Sequence, residues 1–198
     1  MKILAASDIH GDIASAKELA ELARREHVDL IILNGDIVEE ENPEGIVGLF
    51  KDIAKVLILP GNHETVATAD FLATLYNETN LHGYSVIINN IGFFGCGGAD
   101  IPPIPTHDQD IFESLHKGFK YVKHLPKKVM VTHVHPAGGM ADKIDEFVAG
   151  SEAVRKAIDK FKPDVLLCGH AHHAAGIEET IGSTKVINVG KKGKIIEL

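Results

Sequence analysis

Two stretches near the N-terminus decide the fold: Lys2-Ile3-Leu4-Ala5-Ala6-Ser7-Asp8-Ile9-His10 and Val28-Asp29-Leu30-Ile31-Ile32-Leu33-Asn34-Gly35-Asp36. Each is a short apolar run that ends in a carboxylate. Between them Ile13, Ala16, Leu19, Ala20 and Ala23 recur at helical spacing, so the segment reads strand, helix, strand. Val56 to Leu59 repeats the pattern and ends in Pro60-Gly61-Asn62-His63; a helix is predicted after this run and after Asp36. Such alternation predicts a layered α/β fold. Further along, Lys128 to Thr132 and Val165 to Cys168 read as buried strands, with helices over Asp108 to His124 and Ser151 to Phe161. Tyr84 to Ile88, Ile91 to Phe94 and Lys185 to Val189 read as strands of a more antiparallel sheet. Gly95 to His107 is rich in Gly and Pro, and Val134 to Gly150 reads as a loop. Connections of that length are more often functional than accidental. With no shift in composition, residues 1–198 are expected to form a single domain.

The chain carries 20 Lys plus Arg against 28 Asp plus Glu, a net charge of −8, which excludes a nucleic-acid binder working by bulk positive charge. Hydrophobic residues at 44% and charged residues at 24% suit a packed core and argue against disorder. Cys96 and Cys168 match no thiolate metal spacing and read as structural thiols of a reducing compartment. The N-terminal apolar run is too short for a signal peptide, and no run approaches the ~18 residues of a membrane span, so a soluble cytoplasmic protein is expected. The unusual feature is a count of 12 histidines.

The polar residues that end these apolar runs are, in order, Asp8-Ile9-His10, Gly35-Asp36, Gly61-Asn62-His63-Glu64, Thr132-His133 and Gly169-His170-Ala171-His172. The carboxyl ends of strands in an α/β sheet share one edge, where ligands bind, so these blocks are expected to converge. A single Asp there would be a cap and a single His a hydrogen-bonded filler. Together, carboxylates, an amide and several imidazoles make an oxygen- and nitrogen-rich pocket suited to divalent ions.

These ordered blocks resemble the five-block signature of calcineurin-like metallophosphoesterases, and most of all that of small prokaryotic phosphoesterases related to cyclic-nucleotide phosphodiesterases. The resemblance implies a four-layer α/β sandwich with two mixed β-sheets flanked by helices. It further implies that Asp8, His10 and His172 hold one metal, that Asn62, His133 and His170 hold a second, and that Asp36 bridges them. The ions would be two divalent metals among Mn, Fe, Zn, Co and Ni. His63 matches the histidine that protonates the leaving oxygen or stabilises the transition state. The implied reaction is hydrolysis of a phosphate ester, with a diester favoured, by attack of a metal-bound hydroxide. A cyclic nucleotide or nucleotide diester would be a substrate of that kind; no membrane partner is implied, and oligomeric state is open. Two positive ions also reconcile an acidic chain with an anionic substrate, because the local field outranks net charge in a cleft. The competing readings are a catalytically silent binding or scaffold protein on the same fold, and a nuclease.

Other positions carry weaker expectations. Glu64, where the family often has Asp, either orients His63 or its loop or is a plain surface acid. His135 either faces the substrate or is solvated. Asp12 reads as a helix cap and Glu39-Glu40-Glu41 as a solvated loop. Gly95-Cys96-Gly97-Gly98 lacks the Lys-Ser/Thr of a phosphate loop and reads as a tight turn. Asn188-Val189-Gly190 departs from the family's Asn-Pro-Gly, with only a local turn difference expected. His27, His82, His107, His116, His124 and His173 receive no chemistry, and His173 is expected to point away.

Overall fold

The computed structural model describes residues 1–39, 45–145 and 147–198, so the solvated-loop expectation for Glu40 and Glu41 lies outside the described residues. In chain order, β1 (Lys2–Ala6), α1 (Ile13–Glu26), β2 (Leu30–Asn34), β3 (Lys55–Leu59), α2 (Val66–Tyr76) and β4 (Thr79–Asn80) make the first half. They are followed by β5 (Ser85–Ile88), β6 (Ile91–Cys96), α3 (Asp108–Val122), β7 (Lys127–Thr132), α4 (Met140–Ile144) and α5 (Glu152–Phe161). The chain closes with β8 (Val165–Cys168), β9 (Glu178–Ile181), β10 (Thr184–Asn188) and β11 (Lys194–Glu197). One sheet runs β11-β1-β2-β3-β4 and the other β5-β6-β7-β8-β10-β9.

Apart from Lys2, Asn34 and Lys55 at their ends, strands β1 to β3 are apolar because both of their faces are covered. Leu4, Ala6, Ile31, Leu33, Val56 and Ile58 pack outward with Ala16, Leu19 and Ala20 of α1 and with Leu72 of α2. The alternate residues, Ile3, Leu30, Ile32, Leu57 and Leu59, pack inward against Phe93, Val129, Val131 and Leu167 of the second sheet. The outer face of that sheet buries Phe94, Met130 and Leu166 under α3 and α5. Three apolar layers thus separate four layers of structure, helices, sheet, sheet and helices. Each fully buried Leu, Ile or Phe contributes about 1.5–3 kcal/mol.

Register brings the strand ends level. Ala6 lies beside Leu33 and Leu33 beside Ile58, while Cys96 lies beside Thr132 and Val131 beside Leu167. The second sheet is less antiparallel than the sequence suggests, since β6, β7, β8 and β10 are mutually parallel. Helical crossovers such as α3 and α5 return the chain to the starting edge, which enforces parallel pairing. Only β5 and β9 at the margins run antiparallel. The β5–β6 hairpin turns on Asn89 and Asn90, both at positive φ (50° and 63°), as a two-residue hairpin favours. In the first sheet, β11 is antiparallel to β1, with Lys2 opposite Glu197.

The helix expected after Asp36 is, among the described residues, a single 3-10 turn at Val47–Phe50. Four residues suffice there to bury Val47 and Phe50. Asp12 caps α1 as expected, its Oδ1 accepting the Ser15 N–H at 3.1 Å and its Oδ2 lying 2.8 Å from Lys191 Nζ. Ser151 caps α5 through the Val154 N–H at 3.1 Å, and His27 ends α1 in the left-handed conformation (φ 51°). The segment expected as a loop between Val134 and Gly150 contains the short α4. Inside the molecule, the buried Asn34 Nδ2 donates across the sheets to Thr132 O at 2.9 Å.

Candidate metal centre

The blocks that interrupt the apolar runs meet where the carboxyl ends of β1, β2 and β3 face those of β7 and β8. Getting there bends the backbone sharply. Asp8 (φ 59°), His10 (51°), Asp36 (48°) and His170 (68°) all adopt the left-handed region that non-glycine residues avoid. Each such residue costs on the order of 1–3 kcal/mol, and strain of this kind clusters at functional sites. Cross-loop bonds hold it: Asp8 N–H donates to Gly35 O at 3.0 Å, His10 N–H to Asp36 O at 2.8 Å, and Gly169 N–H to His133 O at 2.8 Å. The His170 N–H donates to the Asp8 carboxylate at 3.1 Å, joining the first sheet's loops to the second's. Gly61 is required by close approach, because a Cβ there would run into the Asp36 carboxylate.

The side chains form overlapping donor sets. Asp8, His10 and His172 each offer an atom within 4.8 Å of the others, as do Asp36, His133 and His170, and so do His10, Asp36 and His63. Asp36 Oδ2 lies 3.7 Å from His10 Nε2 and 3.3 Å from His133 Nε2, so one carboxylate faces both sides. Asn62 joins through its Oδ1, 3.2 Å from His133 Nε2, while its Nδ2 donates to Pro102 O at 2.9 Å. All eight residues singled out in the sequence, the seven donors and His63, are therefore brought together.

Their surroundings orient them. His133 Nδ1 lies 3.1 Å from Asn34 O and His10 Nδ1 3.2 Å from Glu39 Oε1, the arrangement by which an imidazole turns its other nitrogen toward a metal. Glu39 is thus a partner of His10 rather than a purely solvated acid. The Nε2 atoms of His10 and His170 are buried without a hydrogen-bond partner. Burial opposes ionisation of Asp36, but His133, the His63 N–H at 2.9 Å and His10 outweigh it and hold the carboxyl below its usual range. Burial likewise opposes Asp8, which the His172 hydrogen bond and the His133 charge keep low. Burial lowers His133, yet Asp36 overrides it and pushes the imidazole up to about 9. His170 is pushed down to about 3 by burial and by the His133 charge. The cluster is an oxygen and nitrogen donor set in which negative charge and unpartnered lone pairs face inward, and it fits divalent cations.

The other expectations resolve individually. Glu64 is buried, not a surface acid; its Oε1 accepts the Ile37 N–H at 2.9 Å and ties the loop after β3 to the loop after β2. Burial and the nearby Asp36 charge push its carboxyl up to about 8. His135 is neither solvated nor in the cleft: it is fully buried behind His170 and bonded to Asp142 Oδ1 at 2.9 Å. Gly95 and Cys96 end β6, and Gly97 is a close approach more than a turn, since a Cβ there would strike Pro60 O. Burial pushes the Cys96 thiol up to about 12 and raises Cys168 as well, as inert structural thiols require. His173 does not simply point away; its Nδ1 lies 3.3 Å from Asp145 Oδ1 at the rim of the cleft. Sequence reading missed Asn34, Asp145, Phe147 and the role of Asn188. Asn188 Nδ2 donates to Ala171 O at 3.0 Å and so steadies the loop carrying His170 and His172. A polar residue at the end of an otherwise apolar strand was the available signal for Asn34 and Asn188; Asp145 and Phe147 had none.

A cleft of about 280 Å³ opens above the cluster, with Asp36, Asn62, His63 and His170 at its floor and Ile101, Pro102, Phe147 and Val148 in its walls. A second hollow of about 300 Å³ reaches Asp8, His10 and His172 from the side of Lys191. No helix among the described residues is long and apolar enough to cross a membrane.

Comparison with known proteins agrees with this geometry. The chain is similar in structure to TT1561 of Thermus thermophilus, with 18% identity, TM-score 0.77, and coverage of 98% of this chain and 97% of that one. The phosphopantetheinyl hydrolase of Mycobacterium tuberculosis follows at 14% identity and TM-score 0.64, covering 96% and 88%. An archaeal phosphodiesterase matches at 18% identity and TM-score 0.54 over 100% of both chains. These identities speak for the fold alone, and no curated protein sequence matches. The sequence profile of calcineurin-like phosphoesterases matches residues 1–174, a span that contains every donor described above. The chain belongs to the calcineurin-like phosphoesterase family, whose members are metal-dependent hydrolases of phosphate esters.

Proposed function

We propose that the protein is a dinuclear metal-dependent phosphodiesterase. The observation that carries this reading is the position of Asp36, whose carboxylate faces His10 on one side and His133 on the other. Asp8, His10 and His172 would hold one divalent cation and Asn62, His133 and His170 the other, with Asp36 shared. Two cations in close proximity need a common anion between them, which an ionised Asp36 supplies. The unpartnered Nε2 atoms of His10 and His170 support this assignment, because buried polar nitrogens in proteins otherwise find partners. The absence of thiolates from the set favours Mn, Fe, Zn, Co or Ni over softer ions.

When bound, such cations supply Lewis acidity toward phosphoryl oxygens and acidify water enough for attack on phosphorus at neutral pH. His63 lines the cleft with its backbone N–H on Asp36 and its ring edge-on to His10, centroids 4.8 Å apart. From there its imidazole can give a proton to the departing ester oxygen. Glu64 ties together the loops after β2 and β3, and Asn188 steadies the loop after β8. Preference for a diester is supported by charge: no Lys or Arg lines the cleft among the described residues, and Asp145 does. A singly charged diester suits that lining better than a doubly charged monoester or a polyphosphate.

Hydrolysis of bis(p-nitrophenyl) phosphate and p-nitrophenyl phosphate with Mn²⁺ tests the reading. We expect the diester to be favoured in kcat/KM and Asp36→Asn to lower its turnover at least about 100-fold. Equal turnover by wild type and Asp36→Asn would overturn the mechanism. Bound metal without hydrolysis of any phosphate ester would instead favour a silent binding protein.

A further inference from the structure

We propose that the cleft contains a subsite for a flat aromatic group esterified to the phosphate, with Phe147 as its specificity-determining wall. The inference rests on the phosphoesterase reading above and names the substrate class it leaves open. Phe147 is 86% exposed, whereas Phe50, Phe93 and Phe94 are fully buried. Its placement does not come from packing of its own ring. The Asp145 carboxylate, itself buried, accepts the Phe147 N–H at 3.3 Å through Oδ1 and the His173 N–H at 3.2 Å through Oδ2. The ring sits beside His173, centroids 5.8 Å apart at 52°. Phe147 is thus fastened to the residue immediately after His172.

Pro102, on another wall, is fastened to the donor set as directly, its carbonyl accepting Asn62 Nδ2 at 2.9 Å. Ile101 precedes it in the lining. Both apolar walls are therefore tied through their backbones to the loops that carry the phosphate-binding floor, as a substrate-sorting surface must be. The size agrees: an apolar cavity of about 150 Å³ accepts benzene, and the cleft of about 280 Å³ has room for such a ring beside a phosphate. Aromatic and apolar walls around a few polar groups are the usual makeup of a small-molecule site, and ring-on-ring contact adds to simple burial. A nucleobase and a simple aryl group share this chemistry.

The test compares binding of the monomethyl esters of phenylphosphonic and methylphosphonic acid, singly charged diester analogues that differ by the ring. Calorimetric titration uses Mn²⁺-loaded wild type, Phe147→Ala and Phe147→Tyr. We expect the phenyl compound to bind wild type about tenfold more tightly, Phe147→Ala to abolish that ratio and Phe147→Tyr to keep it. Thymidine 5′-methylphosphonate separates the two sources of the ring. A Phe147-dependent gain for it extends the class to nucleobases, and a gain confined to the phenyl compound restricts it to aryl groups; both uphold the subsite. A phenyl-to-methyl ratio that is the same in wild type and Phe147→Ala, with bis(p-nitrophenyl) phosphate still hydrolysed, overturns the subsite alone. Failure of every phosphonate to bind together with absence of hydrolysis overturns the phosphoesterase reading and the subsite with it.

Discussion

His63 is held by its backbone, through the N–H to Asp36, while its ring stands at the cleft. Removing the ring leaves that backbone bond to Asp36 in place. His63→Ala should keep wild-type metal content by elemental analysis and lose about 100- to 10,000-fold in kcat, with a smaller change in KM. Loss of metal along with activity would make His63 a ligand instead. At this scale the sequence was most informative where a polar residue stops an apolar run: Asp8, Asp36, Asn62, His133 and His170 all announce themselves so. Glu64 and His135 did not, because whether a polar side chain is buried depends on what the neighbouring loop places over it. Glu64 meets the Ile37 N–H and His135 meets Asp142, contacts that strand-by-strand reading cannot see.

Among the elements, β6 and the loop that follows show how a histidine outside the chemistry still matters. His82 Nδ1 accepts the Gly97 N–H at 3.1 Å, pinning the end of β6 where it passes Pro60. Burial, more than its charged neighbours, holds the His82 imidazole below its ordinary 6.5, so the folded chain resists protonating it. The unfolded chain takes up a proton below about pH 6.5 that the folded chain resists, so stability present above that pH is lost as the pH falls beneath it. His82→Gln, which retains an acceptor, should flatten the fall of Tm between about pH 7 and pH 5 in scanning calorimetry. An unchanged slope would remove His82 from the account. Periodicity located β1, α1, β2, β3 and α5 well because each buries a continuous face. It misjudged the pairing of the second sheet, since strand direction is set by the crossovers α3 and α5 rather than by residues within the strands.

Across the whole molecule, the donors come from both sheets, so the centre is also a clasp between them. Asn34 reinforces it from inside by bonding Thr132 O across the interface. A ligand that binds only the folded chain stabilises it by about 2.7 kcal/mol at one hundred times its Kd, so chelation of Mn²⁺-loaded protein should lower Tm by about 5–10 °C. A Tm indifferent to chelator would argue that no cation spans the two sheets. The pairing of Lys2 with Glu197 carries a different consequence, which concerns the order in which the chain is made. During synthesis β1 emerges well before its antiparallel neighbour β11, so one flank of the first sheet waits until Lys194–Glu197 has been made. The half-built chain exposes a strand edge through that interval, the condition under which nascent proteins aggregate or recruit chaperones. Closure of that edge is therefore gated by the synthesis of β11, and slow closure follows from the topology itself.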